Sequence, residues 1–290
     1  MHACALGDHG PVRADRFSFA HANSTRHAPL GRTAYAWVHQ PQGVRTATLR
    51  SLRDAGFTKL RTCVFPQPFL FNIDEPELHP FVRSHAGRFD LTGFNPSYFV
   101  QLESAVDDRH VPYVVRRRSA FANVSWSVAN EYEFVDATTE SDWERLAGLV
   151  VANNPARHLR SIHNFVIPYD AGREWITHAS LQAPRPYVAT TKVSKWRRAS
   201  PVVVDECGYE GDLEHCWGDL SGRELVRRCW ESPVRGGYAT HGETYSHDDD
   251  QIWWAKGGRT KVDAPDCIAA LHWMIRRGPG RRSRSRCEAL

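Results

Sequence analysis

Two apolar runs in this sequence end in a glutamate, and they constrain the fold more than any other feature. The first run, residues 123–129, leads into Asn130-Glu131, and the second, residues 201–204, leads into Asp205-Glu206. Runs of small and β-branched residues without polar alternation are typical of strands covered on both faces of a parallel sheet. The glutamates are about 75 residues apart, which suits an intervening pair of βα units. We therefore predict two carboxylates on one face of one sheet.

Paired carboxylates at neighbouring strand ends suit the hydrolysis of glycosides. One carboxyl group must keep a proton for the leaving oxygen, while the other must stay ionised to attack the anomeric carbon or to activate water. A single glutamate at a strand end is more often a surface or salt-bridging residue. The combination of Glu131 and Glu206, each after a buried strand, favours the catalytic interpretation.

The composition favours one large enzyme domain. The chain has 290 residues, 41% of them hydrophobic, with a net charge of +4, and a single α/β barrel takes about 250 residues. We expect an N-terminal extension over residues 1–16, a barrel over 17–277 and a basic, disordered tail over 278–290. Because the basic excess sits in that tail, we expect a solvated end and no nucleic-acid partner.

The cysteine spacing and the hydropathy exclude other classes. Seven cysteines without a CxxC pair indicate neither a disulfide framework nor a structural zinc site. The first residues lack the basic and apolar regions of a signal peptide, and no run of about 18 apolar residues occurs. We expect a cytoplasmic protein with no cofactor, no metal and no membrane contact; the sequence does not indicate its oligomeric state.

Strand and helix patterns alternate along nearly the whole chain, which predicts a (β/α)8 TIM barrel. The first strand is predicted over residues 33–40, with Trp37 and His39 at its mouth. Further strands are predicted over residues 59–65, 123–129, 159–164, 175–180, 201–206 and 236–245. Helices are predicted over residues 45–55, 95–106, 107–120, 141–153, 187–198, 222–231 and 265–277. Two helices follow each other before residue 123, so the barrel is predicted to be incomplete, with its third strand region shortened.

Several motifs in order resemble the apiosidase-like glycoside hydrolases, which are barrels of a large retaining clan. These motifs are residues 36–40, 59–66, 130–132, 161–164, 204–211, 241–245 and 253–258. The resemblance runs from about residue 17 to residue 275, and it implies a carbohydrate substrate.

The resemblance also implies roles for individual residues. Glu131 would be the general acid/base and Glu206 the nucleophile, with Glu243 as the alternative nucleophile, a sugar ligand or a structural carboxylate. Asn130 would hydrogen-bond the sugar 2-hydroxyl. Burial would raise the pKa of Glu131, and Arg61 would keep Glu206 charged. The other candidate substrate-binding residues are Trp37, His39, Arg61, His163, His178, His241, Glu243, Tyr245 and Trp253.

The departures from the family leave two alternatives open. About thirty residues, roughly one βα unit, are missing near the expected third strand, so the chain could be a catalytically impaired carbohydrate-binding remnant. Strand-end residues His163, His178, His241 and Asp205 also allow a metal-dependent barrel hydrolase. That class carries two histidines one residue apart on its first strand, and here the segment offers only His39.

Overall fold

In the computed structural model, the described parts of the chain are residues 9–64, 78–83, 89–98, 100, 124–135, 138–196, 200–213, 217–246 and 253–277. The expected third strand region around residues 103–107, the helix predicted over 107–120 and the basic tail lie outside them. Among the described residues, no helix is long and apolar enough to cross a membrane.

Fourteen strands and six α-helices are assigned within this part of the chain. The strands are β1 (Val12–Asp15), β2 (Ser18–His21), β3 (Arg26–His27), β4 (Gly31–Thr33), β5 (Lys59–Arg61), β6 (Phe81–Arg83), β7 (Phe89–Phe94), β8 (Ser125–Ser127), β9 (Leu159–Ser161), β10 (Ala179–Gln182), β11 (Val202–Glu206), β12 (Glu210–Gly211), β13 (Tyr238–His241) and β14 (Glu243–Thr244). The α-helices are α1 (Gln42–Asp54), α2 (Glu140–Ala152), α3 (Pro186–Trp196), α4 (Gly222–Glu231), α5 (Trp253–Lys256) and α6 (Ala264–Arg277).

Seven parallel strands form the wall of the barrel. Strands β10, β11, β13, β4 and β5 pair side by side in that order. Strands β8 and β9 pair with each other, and a bridge between His163 and Ser180 joins β9 to β10. The order is that of a barrel, but within the described residues β5 and β8 do not pair, so the ring is not closed there.

The packing of the strands explains why the two apolar runs behave differently. In β11, Val202, Val203 and Val204 are all buried, because both faces of the strand are covered: Val202 packs with Val193 of α3 and Val203 packs with Phe19. In β8, Trp126 is buried while Ser125 and Ser127 are exposed. The prediction that the strand in residues 123–129 is buried on both faces is therefore wrong. This strand, β8, has one strand partner in the described part of the chain.

Two helices, α2 and α4, begin next to residues whose side chains cap the helix N-terminus. Thr139 and Asp142 form a reciprocal capping box at the start of α2, and Ser221 accepts from the Glu224 amide at the start of α4. Such caps satisfy amide groups that have no partner within the helix. Helix α4 spans the predicted residues 222–231.

The first barrel strand ends earlier than predicted. Strand β4 stops at Thr33, and Trp37–His39 form a 3-10 helix. The amides of Tyr35 and Ala36 donate to carbonyl groups of Trp254 and Ala255. The chain is therefore drawn toward α5, and Tyr35 takes the place at the barrel mouth that was predicted for Trp37.

Candidate active site

Glu206 lies at the carboxyl end of β11 among cationic and hydroxyl groups. Its side chain is only 4% exposed, and Arg61 Nη1 is 2.5 Å from its Oε1 atom. The Tyr35 hydroxyl donates to the same oxygen, and His163 Nε2 lies 3.3 Å from it. Burial alone would raise the pKa of Glu206, but the Arg61 charge, together with the hydrogen bond from Tyr35, outweighs burial and holds that pKa well below its usual range. The carboxylate is therefore ionised.

Glu131 follows β8, and its pKa is shifted in the opposite direction from that of Glu206. Its backbone is left-handed, with φ of 45°, an uncommon conformation for a residue with a side chain. Burial raises the pKa of Glu131, the negative charge of Glu206 raises it further, and the neighbouring Gln182 side chain and Arg61 charge partly offset both effects. This carboxyl group is therefore the one that keeps a proton to higher pH.

Asn130, Arg61 and Gln182 connect the two carboxyl groups. Asn130 Oδ1 accepts from Arg61 Nη2, and the Tyr35 hydroxyl oxygen lies 3.3 Å from the same atom. Gln182 pairs in register with Glu206 in the sheet, and its side chain lowers the pKa of Glu131. The amide group of Asn130 donates to no other described residue, so it remains available to a ligand.

A second buried anion lies behind Glu206. Asp205 accepts from Lys59, from Thr240 Oγ1 at 2.9 Å and from Ser180 Oγ at 2.6 Å. Burial would raise the pKa of Asp205, but Lys59 and Arg61 more than compensate and hold it far below its usual range. Asp205 is therefore ionised at neutral pH and acts only as an acceptor.

The Ser180 hydroxyl determines which nitrogen of His163 carries the proton. Ser180 has a single hydrogen, which it donates to Asp205. The contact of 2.9 Å between Ser180 Oγ and His163 Nδ1 must therefore use the Nδ1 hydrogen. Burial and the neighbouring Arg61 lower the pKa of His163, so the ring is neutral and its unprotonated Nε2 faces Glu206.

Aromatic rings form one wall of the site. Trp254 contacts the edge of Tyr35 at 5.9 Å between ring centroids and stacks on Tyr209 at 6.4 Å with an angle of 9°. The Tyr209 ring lies directly on the backbone of Gly242, where a Cβ atom would overlap it. Trp254 is partly exposed, whereas Trp253 is fully buried.

Three of the predicted binding residues have core positions. Trp37 is buried and its indole NH donates to the Arg45 carbonyl. Trp253 donates to Gly258 and packs under the Arg32 guanidinium. His178 precedes β10, so it lies at the amino end of the barrel beside Phe19. The prediction that these three face the sugar needs correction: the first strand ends at Thr33 and not at residue 40, β10 begins after His178, and Trp253 packs into the core.

Glu243 is a structural carboxylate in this arrangement. It is fully buried and pairs with Arg32. Thr260 Oγ1 donates to it at 2.6 Å and the Lys261 amide at 2.8 Å. Both oxygens are thus engaged by protein donors, and of the three roles considered from the sequence the structural one fits.

His241 is a buried neighbour of another carboxylate. It is fully buried, with Nε2 at 3.5 Å from Glu210, and burial lowers its pKa well below the usual value. Glu210 accepts from the Asp263 amide beside the start of α6. His241 is therefore enclosed by protein beside Glu210, and the structure does not show it facing a sugar as expected.

His39 and Tyr245 are not brought into the network around Glu206. His39 stacks on Tyr98 with 5.9 Å between ring centroids, and burial followed by the charge of His79 lowers its pKa to about 4. Tyr245 is half-buried, and its pKa is raised by burial and by Glu210, Asp212 and Asp263. Both remain candidates for contacts farther from the two carboxyl groups.

Sequence reasoning missed several residues that complete the site. Tyr35, Gln182 and Ser180 lie outside the motifs found in the sequence, and Lys59 opens one of them without having been named as a site residue; each is positioned by strand pairing or by a distant segment. A signal for Gln182 exists in principle, because it ends β10 in register with Glu206. In the described part of the chain, no group of three or more His, Cys, Asp or Glu side chains is arranged to hold a metal ion.

Comparison with known proteins finds similarity in solved structures. No model of a protein family matches the chain, and no curated protein matches it. A candidate glycoside hydrolase of Bacteroides vulgatus ATCC 8482 superposes with a TM-score of 0.87 at 33% identity, over 95% of this chain and 63% of that one.

More distant structures share the fold. A family 5 glycoside hydrolase from the same organism gives a TM-score of 0.64 at 13% identity, over 86% of this chain and 66% of that one. An endo-1,4-β-D-mannanase of Thermotoga petrophila RKU-1 gives 0.52 at 12% identity, over 86% of this chain and 100% of that one.

The protein thus spans 63% and 66% of the lengths of the two Bacteroides proteins that it resembles. Their common architecture, together with the order of the seven parallel strands, establishes the fold class. The chain has the α/β barrel fold of clan A-like glycoside hydrolases, with a ring that is open within the described residues.

Proposed function

We propose that this protein is a retaining glycoside hydrolase of the apiosidase-like type, with Glu131 as general acid/base and Glu206 as nucleophile. The observation that carries the proposal is the opposite displacement of the two pKa values, with that of Glu131 raised and that of Glu206 lowered. Carboxyl groups driven apart in this way divide acid and nucleophile roles in glycosidases.

The proposed reaction has two steps. In the first, a Glu206 oxygen bonds to the anomeric carbon while the glycosidic C–O bond breaks, and Glu131 gives its proton to the leaving oxygen. In the second, Glu131 takes a proton from water, the water oxygen bonds to the anomeric carbon, and Glu206 is released. The free amide of Asn130 is placed beside both groups to bond a sugar hydroxyl.

The surroundings of Glu206 favour attack on carbon over activation of water. An inverting enzyme would need this carboxylate to accept a proton from water, and general bases work best with a pKa near the working pH. Arg61 and the Tyr35 hydroxyl stabilise the charged form instead. A nucleophile needs the negative charge and orientation that these two groups supply.

Covalent trapping tests the assignment. A 2-deoxy-2-fluoro glycoside with a good leaving group should leave its sugar on Glu206, which peptide mass spectrometry locates. Replacement of Glu206 by glycine should abolish hydrolysis, with azide restoring turnover to a glycosyl azide of inverted configuration. Replacement of Glu131 by alanine should instead give an azide product of retained configuration.

A catalytically silent carbohydrate-binding remnant is the alternative, favoured by the lack of pairing between β5 and β8 within the described residues. It predicts that calorimetry detects sugar binding while no aryl glycoside is hydrolysed and no sugar is trapped on Glu206. Trapping on Glu243, or an inverted first product from the wild type, would overturn the proposed mechanism.

A further inference from the structure

Five apolar side chains are exposed together beside the candidate site. Their exposed fractions range from 38% to 69%. The five residues are Phe134, Val135, Phe165, Val166 and Ile167. We call this set the apolar platform. Contiguous apolar surface of this kind is unusual on a protein exterior and commonly marks a site of binding.

The platform is built on a defined scaffold. The Phe134 and Phe165 rings lie 4.4 Å apart between centroids. The Glu133 carboxylate accepts the amides of Phe165, Val166 and Ile167 at 2.7–2.9 Å. This carboxylate fixes the segment after β9 against the segment after β8. The exposed rings are therefore held in place by hydrogen bonds, which reduces the entropy lost when a ligand binds.

The platform directly adjoins the two carboxyl groups along the chain. The Phe134 amide donates to the Glu131 carbonyl at 2.9 Å. Phe165 lies two residues after His163, and the Nε2 atom of His163 is 3.3 Å from Glu206. Since consecutive Cα atoms are about 3.8 Å apart, the Phe134 Cα lies within about 11 Å of that of Glu131. A group joined to the scissile oxygen can reach this distance.

We propose that the apolar platform binds the aglycone of a glycoside whose leaving group is apolar, such as an aryl or fused-ring alcohol. This inference rests on the proposed function, in which Glu131 protonates the leaving oxygen. The leaving group must then lie on the Glu131 side of the bond, and Phe134 follows Glu131 by only three residues.

The polar groups of the platform favour an apolar aglycone over a second sugar. Sugar sites need free hydrogen-bonding groups as well as an apolar face. Here the Glu133 carboxylate is occupied by three amides, and the Tyr132 hydroxyl donates to the Ile167 carbonyl at 3.0 Å. The platform therefore offers rings and branched aliphatic groups, with its adjacent polar side chains already engaged.

A pair of substrates with one sugar and different leaving groups tests this specificity. For the sugar whose glycosyl fluoride the wild type hydrolyses, Phe134→Ala should raise KM for the 2-naphthyl glycoside about tenfold through lost apolar contact. The glycosyl fluoride, whose leaving group cannot reach the platform, should keep kcat/KM within about twofold. Phe17→Ala, which removes an exposed ring at the amino-terminal hairpin, is the matched control and should change neither.

A turnover-free measurement separates failure of the platform from failure of the proposed function. Calorimetry with 2-naphthol should give a Kd about tenfold weaker in Phe134→Ala than in the wild type or Phe17→Ala, whether or not any glycoside is hydrolysed. Equal Kd values in all three proteins would overturn the inference. A rise in KM confined to a disaccharide substrate would assign the platform to a sugar and would also overturn it.

Discussion

At the scale of single residues, Glu131 combines a strained backbone with an unfavourable charge. Its φ of 45° is left-handed, and its pKa is raised by burial and by Glu206. A folded-state pKa above the unfolded value means that stability present at low pH is lost as pH rises through the folded pKa. Ionised Glu131 therefore destabilises the native state at neutral pH.

Glu131→Gln should separate activity from stability. The neutral amide cannot donate the catalytic proton, so hydrolysis should fall by about 10² to 10⁴. Because the amide carries no charge beside Glu206, the free energy of unfolding at pH 7 should rise, with a smaller gain at pH 4. Urea denaturation at both pH values measures this, and exposed Glu174→Gln serves as control. A variant less stable than the wild type at pH 7 would contradict the electrostatic account.

The Ser180 hydroxyl should hold His163 in one tautomer. Nitrogen-15 NMR of labelled histidine should find His163 neutral at pH 7 with its proton on Nδ1, because Ser180 donates to Asp205 and accepts from the ring. In Ser180→Ala the Nδ1 hydrogen loses its acceptor, and the Nε2 tautomer should become populated. Loss of one buried hydrogen bond costs about 1 kcal/mol. A wild-type ring protonated on Nε2 alone would refute this relay.

At the scale of elements, the β13–β14 segment depends on a buried ion pair. Burial lowers the pKa of Arg32 to about 9, and Arg32 is held between Glu243 and the Trp253 ring. Breaking one side of such a pair leaves a charge buried without its partner, which costs several kcal/mol.

Glu243→Gln should therefore lower stability without removing the chemistry. The expected loss is about 3–5 kcal/mol in the free energy of unfolding, measured by denaturant titration. At a temperature where the variant is folded, kcat should stay within a few-fold of the wild type. A loss of kcat equal to that of Glu206→Gln, in a protein of unchanged stability, would return the nucleophile role to Glu243.

Strands and helices could be predicted largely from local pattern, whereas their side-chain partners could not. The valines of β11 and the apolar positions of α4 depend on periodicity that can be read along the chain. Tyr35 occupies the position at the barrel mouth that was predicted for Trp37. This placement depends on hydrogen bonds to Trp254 and Ala255, which lie over two hundred residues away in the chain. The resemblance named Glu131, Glu206 and Arg61, but local pattern could not distinguish the buried Glu243 from a cleft residue.

At the scale of the whole molecule, buried neutral histidines make stability depend on pH. Burial and the nearby Lys59 charge lower the pKa of His178 to about 4, although the Asp205 charge acts in the opposite direction. In the unfolded chain, histidine titrates near 6.5. The unfolded chain therefore binds the proton first as pH falls. The stability that His178 contributes is complete above about pH 6.5 and is lost progressively toward pH 4.

His178→Gln should flatten this dependence. Between pH 6.5 and 4 the variant should lose less unfolding free energy than the wild type, by up to roughly 3 kcal/mol, because it cannot take up the proton. Denaturant titrations at half-unit pH intervals measure the slope. His9→Gln, at an exposed histidine, is the control. Identical slopes in His178→Gln and the wild type would contradict the assignment.

Carbon-13 NMR titration of the glutamate carboxyl groups, in the wild type and in Glu206→Gln, tests the central claim most directly. That claim is that the barrel sets the carboxyl groups after β8 and β11 to opposite protonation states. The Glu131 carboxyl should titrate above an ordinary glutamate in the wild type and at lower pH in Glu206→Gln, where the neighbouring negative charge is gone, while wild-type Glu206 stays ionised throughout. A Glu131 pKa that is ordinary, or that does not change when Glu206 is neutralised, would contradict the account.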